Sequence, residues 1–184
     1  YVRGDQINAQ IPTIADRGTV AVVAIANPGS PNERRSDPVS ITLAGNAPGF
    51  FFLTPNPGIA AVFANTGQIA GDPAAVPGAR GVRPGDIISL YATGLGQLDP
   101  VYQAGEIMEG TVSLRDTVTI EWGGAALPAA DVLYAGAAPG FISGLYQINV
   151  RVPASVTPNA QNTVRMRVGG VLSPEGTAVF AAAP

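Results

Sequence analysis

Residues Leu145–Pro153 read LYQINVRVP, and the Gln-Ile-Asn within them recurs in Asp5–Pro12, which read DQINAQIP. In the later copy Ile148, Val150 and Val152 alternate with polar side chains, and residues 7, 9 and 11 alternate in the same way in the earlier copy. A period of two is typical of a β-strand that buries one face. The chain is therefore predicted to contain the same strand twice, ending each time at a proline.

The segments that follow the two copies also correspond to each other. Thr19–Ile25 (TVAVVAI) matches Thr163–Val168 (TVRMRV), and Val39–Ala44 (VSITLA) matches Thr177–Ala182 (TAVFAA). Strands that recur in the same order predict two related β modules in tandem. The first is expected to hold only closing strands, because nothing before Tyr1 in this sequence supplies its opening strands.

The predicted organisation has three parts. Residues 1–46 form the closing half of a first module, residues 47–58 form a junction rich in aromatic residues and proline, and residues 59–184 form a complete second module. Turn residues separate short apolar segments in the last part, and no useful helical period occurs. The expected fold is an all-β sandwich, with candidate strands of the second module at Ile59–Ala64, Ile87–Ala92, Thr117–Trp122 and Asp131–Tyr134.

The composition is that of a folded, turn-rich β protein. The 184 residues include 23 glycines and 17 prolines without a fixed period, which excludes a collagen-like chain. An apolar content of 46 % favours a packed core over disorder. No apolar run reaches the ~18 residues that a membrane-spanning helix needs, so no membrane span is expected. The chain starts at Tyr1 without a methionine or a signal-like segment, which is typical of a mature form or a fragment.

Three residue types are missing, and their absence limits the chemistry. The chain has no cysteine, no histidine and no lysine, so all ten basic residues are arginine. A disulfide framework, a thiolate nucleophile and the usual zinc ligands are therefore excluded, and a hydrolase of the serine–histidine type is disfavoured. A net charge of −3 without a basic stripe argues against a nucleic-acid partner. No catalytic, cofactor-binding or metal-binding residue is predicted, and no cofactor is expected.

A few local patterns are candidates for chemistry, and a structural role is favoured for each. Gly94-Leu95-Gly96 lacks the third glycine of a dinucleotide-binding loop, because position 99 is Asp99. Glu106 and Glu109 are the nearest carboxylate pair and are expected to be solvated loop charges rather than a glycosidase pair. Glu121 beside Trp122 suits either sugar binding or an outward strand position. A calcium site built from aspartates of distant loops stays open as an alternative.

Several longer motifs carry a resemblance to a known family. They are Pro84–Gly96 (PGDIISLYATGLG), Val132–Gly136 (VLYAG), Ala138–Phe141 (APGF), Gly144–Val150 (GLYQINV) and Val152–Pro153. Together they resemble the uncharacterised Solibacter-type C-terminal domain family, which occurs in secreted proteins of Acidobacteria. The Pro-Gly-Asp strand is also similar to the opening of TIG (immunoglobulin-like) domains. The resemblance implies tandem Ig-like (TIG-like) β-sandwich modules, the first only a half-module, at an extracellular or cell-surface location. It implies no assigned activity or ligand.

The function expected from these observations is non-catalytic. We expect a structural or adhesive module of a secreted or cell-surface bacterial protein, able to self-associate through its incomplete first module. The expected partners are other copies of the chain or neighbouring Ig-like modules. The alternative is a carbohydrate-binding module attached to a secreted enzyme, with a polysaccharide as partner. The candidate interaction surface consists of Ile7, Ile11, Val20, Val22, Ile25, Phe50, Phe51 and Phe52.

Overall fold

A computed structural model describes residues 2–3, 5–12, 18–53 and 58–183 of the chain. The described residues contain β-strands, turns and one short 3₁₀ helix, and no α-helix, so the predicted all-β class is confirmed. Contacts divide the chain into two compact units. The smaller unit is Thr13–Gly45, and the larger unit joins Tyr1–Pro12 to Asn46–Pro184. The segment predicted as one half-module, residues 1–46, is thus shared between the two units.

Sixteen short strands make up the described chain. The smaller unit contains β1 (Gly18–Val22), β2 (Ile25–Ala26), β3 (Arg34–Arg35) and β4 (Val39–Leu43). The larger unit contains β5 (Gly49–Phe50), β6 (Ala61–Phe63), β7 (Ile87–Thr93), β8 (Leu98–Asp99), β9 (Ser113–Leu114), β10 (Val118–Trp122), β11 (Ala125–Ala126), β12 (Val132–Ala137), β13 (Tyr146–Arg151), β14 (Ala160–Val168), β15 (Val171–Leu172) and β16 (Ala178–Ala181). The 3₁₀ helix, Ala129–Asp131, leads into β12.

The larger unit is built from two antiparallel sheets. The seven-stranded sheet has the order β5-β7-β13-β12-β9-β8, with β6 also paired to β7. The five-stranded sheet has the order β11-β10-β14-β15, with β16 also paired to β14. The repeated Gln-Ile-Asn sequence of the second copy lies in β13, between β7 and β12. The predicted strand is therefore confirmed, and it lies inside a sheet.

One apolar core joins the inner faces of the two sheets, as in a β-sandwich. Ile148, Val150 and Val152 are fully buried, as the alternation predicts. The five-stranded sheet contributes alternating residues of β10 and β14 to the same core, which are Val118, Ile120, Trp122, Val164, Met166 and Val168. The two inner faces thus supply the apolar burial that stabilises this unit.

Large aromatic residues at strand ends predict that Tyr91, Trp122 and Tyr134 fill this core. Trp122 does so, but the two tyrosines lie on the other face of the seven-stranded sheet. Tyr91 is directly opposite Gln147, and Tyr134 is directly opposite Asn149, so both project away from Ile148. The prediction that these rings fill the core is wrong. The outward position of Tyr91 follows from the alternation of β7, because residues 88, 90 and 92 of that strand point inward.

The first copy of the repeated strand does not form a strand. Within Asp5–Pro12 only Ile7 has a bridge, to Val2. The prediction of a strand here is wrong, and the reason is pairing. In the second copy β13 has a neighbour on each side, whereas Asp5–Pro12 has no neighbouring strand among the described residues. A strand requires a partner for its backbone hydrogen bonds.

The two copies nevertheless share a side-chain contact. Gln147 Nε2 donates a hydrogen bond to Asn149 Oδ1 at 2.8 Å, and Gln6 Nε2 donates to Asn8 Oδ1 at 2.7 Å. The amides stand two residues apart, on one face of the strand in the second copy. The sequence repeat therefore extends to the conformation of its polar side chains.

Two hydrogen-bonded phenols, the buried Tyr146 and the half-buried Tyr134, predict how the stability depends on pH in the alkaline range. Tyr146 Oη donates to the Gly96 carbonyl oxygen at 2.5 Å, and Tyr134 Oη donates to the Ala137 carbonyl oxygen at 2.6 Å. Burial raises the pKa of both tyrosines above its usual range. The folded chain therefore holds two phenolic protons that the unfolded chain releases at about pH 10.

We expect the free energy of unfolding to change little between about pH 8 and 9 and to fall as the pH rises above about 10, where the unfolded state binds fewer protons. The chain has no lysine and no cysteine, so tyrosines dominate the titration in this range. Urea unfolding between pH 8 and 11 measures the effect. Tyr146→Phe should make the alkaline loss shallower, and an equally steep loss in that variant would contradict the assignment.

Candidate functional site

Two of the candidate carboxylates, Glu106 and Glu121, have structural partners. Glu106 Oε2 accepts a hydrogen bond from the Gln103 backbone N–H at 2.8 Å, which closes a loop. Glu121 pairs with Arg167 Nη2 at 3.3 Å across β10 and β14. Among the described residues, no three histidine, cysteine, aspartate or glutamate side chains are grouped so that they can hold a metal ion.

The other two candidate patterns also have structural explanations. Gly94 has φ +72°, and a Cβ atom there would overlap the Ala47 carbonyl oxygen, so this position needs glycine for packing. Trp122 is buried in the core and presents no ring face to a sugar. The interpretation of Glu121 beside Trp122 as a sugar-binding pair is therefore wrong.

The smaller unit contains an amphipathic ribbon, formed by β1 and β4. The register places Val20 opposite Ile41 and Val22 opposite Val39. Directly opposed residues of an antiparallel pair share a face, so these side chains lie together. The neighbouring pairs, which are Thr19 with Thr42 and Ala21 with Ser40, lie on the other face. One face of the ribbon is therefore apolar and the other is mostly polar.

The apolar face of this ribbon is open along much of its length. Val20 and Ile41 are half-buried, whereas Val22 and Val39 are exposed, with 47 % and 62 % of their surface accessible. Ile25 in β2, paired with Arg35 in β3, is also exposed. A two-stranded ribbon is marginally stable in water without a packing partner. The apolar face of the β1–β4 ribbon is thus a candidate binding surface.

The second copy contains the corresponding hairpin in a covered state. There β14 pairs with β16, as β1 pairs with β4. With Thr19 aligned to Thr163, the residues that correspond to Val20 and Val22 are Val164 and Met166, and both are fully buried. The registers of the β1–β4 and β14–β16 pairs differ by two residues. Because side chains alternate with a period of two, this shift leaves each residue on the same face of its strand pair. The same sequence pattern is therefore covered in one copy and open in the other.

The repeated strand shows the same contrast. Ile148 and Val152 have 0 % and 1 % of their surface exposed, whereas Ile7 and Ile11 have 59 % and 54 % exposed. These four residues stand at equivalent positions of the two copies. The difference arises because the neighbours of β13 have no counterpart beside residues 5–12 among the described strands.

The three consecutive phenylalanines have different environments. Phe50 lies in β5, opposite Ala92, and is buried in the core. Phe51 and Phe52 are exposed. Phe50 is therefore unavailable to a partner and leaves the candidate interaction surface. It contributes to the β-sandwich core instead.

Gln10 is a contact residue that the sequence pattern does not reveal. Its Nε2 donates to Ser143 Oγ at 3.1 Å, and its Oε1 accepts from the Gly105 backbone N–H at 2.8 Å. The amide packs on Gly144, where a Cβ atom would lie 2.7 Å from Gln10 Nε2. Gln10 therefore anchors the first repeated strand sequence to two loops of the larger unit. No local pattern in the sequence marks it, because its partners are more than 90 positions away.

We expect Gln10→Ala to release residues 5–12 without unfolding the sandwich. The substitution removes one acceptor and one donor and leaves the Gly105 N–H without its partner, a loss of about 1–2 kcal/mol of local stability. Hydrogen exchange should become faster at Gly105, with little change in the melting temperature. Gln6→Ala is the matched control, because among the described residues the Gln6 side chain donates to Asn8, two positions away, and not to Ser143 or Gly105. Equal exchange at Gly105 in both variants would contradict the anchor.

Comparison of the chain with protein-family models, with curated proteins and with solved structures finds no match. Within the described residues, no helix has the length and apolar character needed to cross a membrane.

Proposed function

We propose that this chain is a non-catalytic, structural or adhesive Ig-like module of a secreted or cell-surface bacterial protein. In this proposal the chain associates with other copies or with neighbouring modules through its incomplete first copy. The antiparallel sheets, their shared core and the sequence repeat support the Ig-like assignment. The resemblance of Pro84–Gly96 to secreted bacterial domains supports the location.

The observation that carries the proposal is the contrast between the two copies. Apolar positions that are fully buried in the second copy, such as Ile148 and Met166, correspond to the exposed Ile7 and Val22 in the first. Covering these side chains gains roughly 25 cal/mol for each Å² of apolar surface removed from water. Open apolar surface next to an unpaired strand edge favours pairing with another chain.

The kind of association is limited by the strands that the chain has. In the second copy, β7 and β10 are the strands that complete the sandwich around β13 and β14. Both already belong to the larger unit, so the described strands include no surplus opening half to donate. Association is therefore expected through the open face and edge of the ribbon, without exchange of a complete half-module.

Size-exclusion chromatography with light scattering tests the association. We expect the wild-type chain to exceed its monomer mass of 18.6 kDa in the micromolar range. Val39→Asp places a charge on the exposed apolar face and should give a monomer. Ser40→Asp is the control, since this neighbouring residue is exposed on the other face and should leave the mass as in the wild type. A monomeric wild type, or an associated Val39→Asp variant, would end the proposal.

A carbohydrate-binding module is the second candidate, and one surface favours it. On the outward face of the seven-stranded sheet, the half-buried Tyr91 lies beside the amides of Gln147 and Asn149. Aromatic rings and amides are side chains that stack on and hydrogen-bond to sugars. A polysaccharide array would show binding that Tyr91→Ala abolishes. If no glycan binds, this candidate is excluded.

A further inference from the structure

Among the described strands, β1 has one edge without a neighbour. In the described chain β1 pairs with β4 alone, so one side of Gly18–Val22 has no partner strand. In the second copy the corresponding strand, β14, has β16 on one side and β10 on the other. The place that β10 occupies in the second copy is therefore vacant in the first.

The register of the second copy specifies how a strand fits this place. Trp122 is opposite Val164, Ile120 is opposite Met166, and Val118 is opposite Val168. By the alignment of Thr19 with Thr163, the three acceptor positions correspond to Val20, Val22 and Ala24 in the first copy. All three are apolar; Val20 and Val22 lie on one face of β1, and Ala24 follows two residues beyond Val22, after the end of the strand. Two apolar residues on one face are the pattern that an antiparallel apolar strand requires.

We propose that the free edge of β1 binds an extended strand in antiparallel orientation, whose apolar side chains alternate as Val118, Ile120 and Trp122 do in β10. The partner is the opening-half strand of an Ig-like module outside this chain. The inference rests on the proposed function and names the chemistry of its partner. Main-chain hydrogen bonds along the edge hold the strand, and the apolar positions select its register.

The outward-facing side chains of β10 and β14 indicate one further property of this partner strand. In the second copy Glu121 of β10 is directly opposite Arg165 and forms an ion pair with Arg167. Ala21 and Val23 stand at the two arginine positions in the first copy. A carboxylate at the Glu121 position would therefore have no cationic partner on β1. The strand that fits this edge is uncharged at that position.

A synthetic peptide tests the proposal with the full-length chain. The probe is the sequence Arg115–Gly124 (RDTVTIEWGG) with Glu121→Thr, labelled at its N-terminus. Fluorescence anisotropy is measured at chain concentrations where light scattering shows a monomer. We expect saturable binding. We expect no binding from the same peptide with Ile120→Asp, because this charge would face Val22.

Two variants of the chain locate the site. Val22→Ser removes an exposed apolar side chain from the acceptor face and should weaken binding at least fivefold. Ala21→Ser changes the adjacent exposed residue of the same strand, on the other face, and should leave the dissociation constant within twofold. Circular dichroism checks that both variants are folded. Hydrogen exchange in Gly18–Val22 should become slower when the peptide is bound.

The outcomes separate this inference from the proposed function. Absence of peptide binding, or equal binding to Val22→Ser and the wild type, would overturn the inference even if the chain associates through another surface. If the peptide binds but the chain stays a monomer at all concentrations, the inference is upheld and the self-association part of the proposed function is rejected. A third outcome is a dimer in which two copies pair through their β1 strands and which the peptide does not displace. This result would show that a second β1 strand, and not an opening-half strand, binds the edge.

Discussion

Val150→Asp is expected to abolish the cooperative folding of the larger unit. Val150 is fully buried in β13, between Ile88 of β7 and Val132 of β12 in the register of the sheet. An aspartate there would place an unpaired carboxylate in the core and remove an apolar side chain. Such changes cost about 4 kcal/mol or more, a large part of the stability of a domain this size. Thermal unfolding followed by circular dichroism should show no cooperative transition or a melting temperature far below that of the wild type.

Asn149→Asp is the matched control for this variant. The side chain is adjacent in sequence, lies on the outward face and accepts hydrogen bonds from Ser89 Oγ at 2.8 Å and from Gln147 Nε2 at 2.8 Å. A carboxylate at this position can accept the same bonds, so we expect a change within about 1 kcal/mol. If the two variants melt at the same temperature, the assignment of faces to β13 is wrong.

Gly136→Ala is expected to be the most damaging single-methyl change in the sheet. Gly136 lies in β12, and an added Cβ atom would overlap the Val112 carbonyl oxygen and lie 2.6 Å from Tyr134 Oη. The first contact is backbone, and Tyr134 is itself hydrogen-bonded to Val112 and Ala137, so neither can move freely. We expect a loss of about 3 kcal/mol in the free energy of unfolding, measured by urea denaturation.

Gly49→Ala provides the comparison, because Gly49 also lies in a strand, β5, and no atom would lie within 4 Å of its added Cβ. This variant should be as stable as the wild type, within about 0.5 kcal/mol. A similar loss in both variants would mean that the effect comes from strand backbone entropy and not from the contact at Gly136.

The sequence predicts the long strands well because burial on one face leaves a direct trace in the residue pattern. Ile87–Ala92, Thr117–Trp122 and the strand around Ile148 appear as β7, β10 and β13. In β13 the expected residues Ile148 and Val150 are inside, whereas in β7 Tyr91 lies on the outward face. Two-residue strands such as β11 and β15, which pair with β10 and β14, are too short to contain a period. They exist only because a longer neighbouring strand presents free hydrogen-bonding groups, so tertiary context determines them.

The sequence predicts those residues of the candidate surface that lie within the repeated segments. Comparison of the two copies identifies Ile7, Ile11 and Val22 as positions that lack their covering strands, and all three are exposed. Phe50 was assigned wrongly because three identical residues in a row have no period, so the sequence does not tell which of them points inward. The contact of Gln10 with Ser143 depends on the approach of distant loops, which the pattern of either segment does not encode.

Gln10 has a thermodynamic consequence beyond its own contacts. Gln10 lies just before the smaller unit in the chain, and Asn46 lies just after that unit; both residues belong to the larger unit. Asn46 is held there because its Nδ2 donates to Asp116 Oδ2 at 2.9 Å. The smaller unit is therefore an insertion whose two ends are fastened, and its unfolding converts residues 13–45 into a closed loop. Loop-closure entropy opposes the fastened state more strongly as the disordered part of the loop grows. A partner that keeps residues 18–43 ordered therefore also favours the fastened state of Gln10, so the two events are positively linked through chain entropy alone.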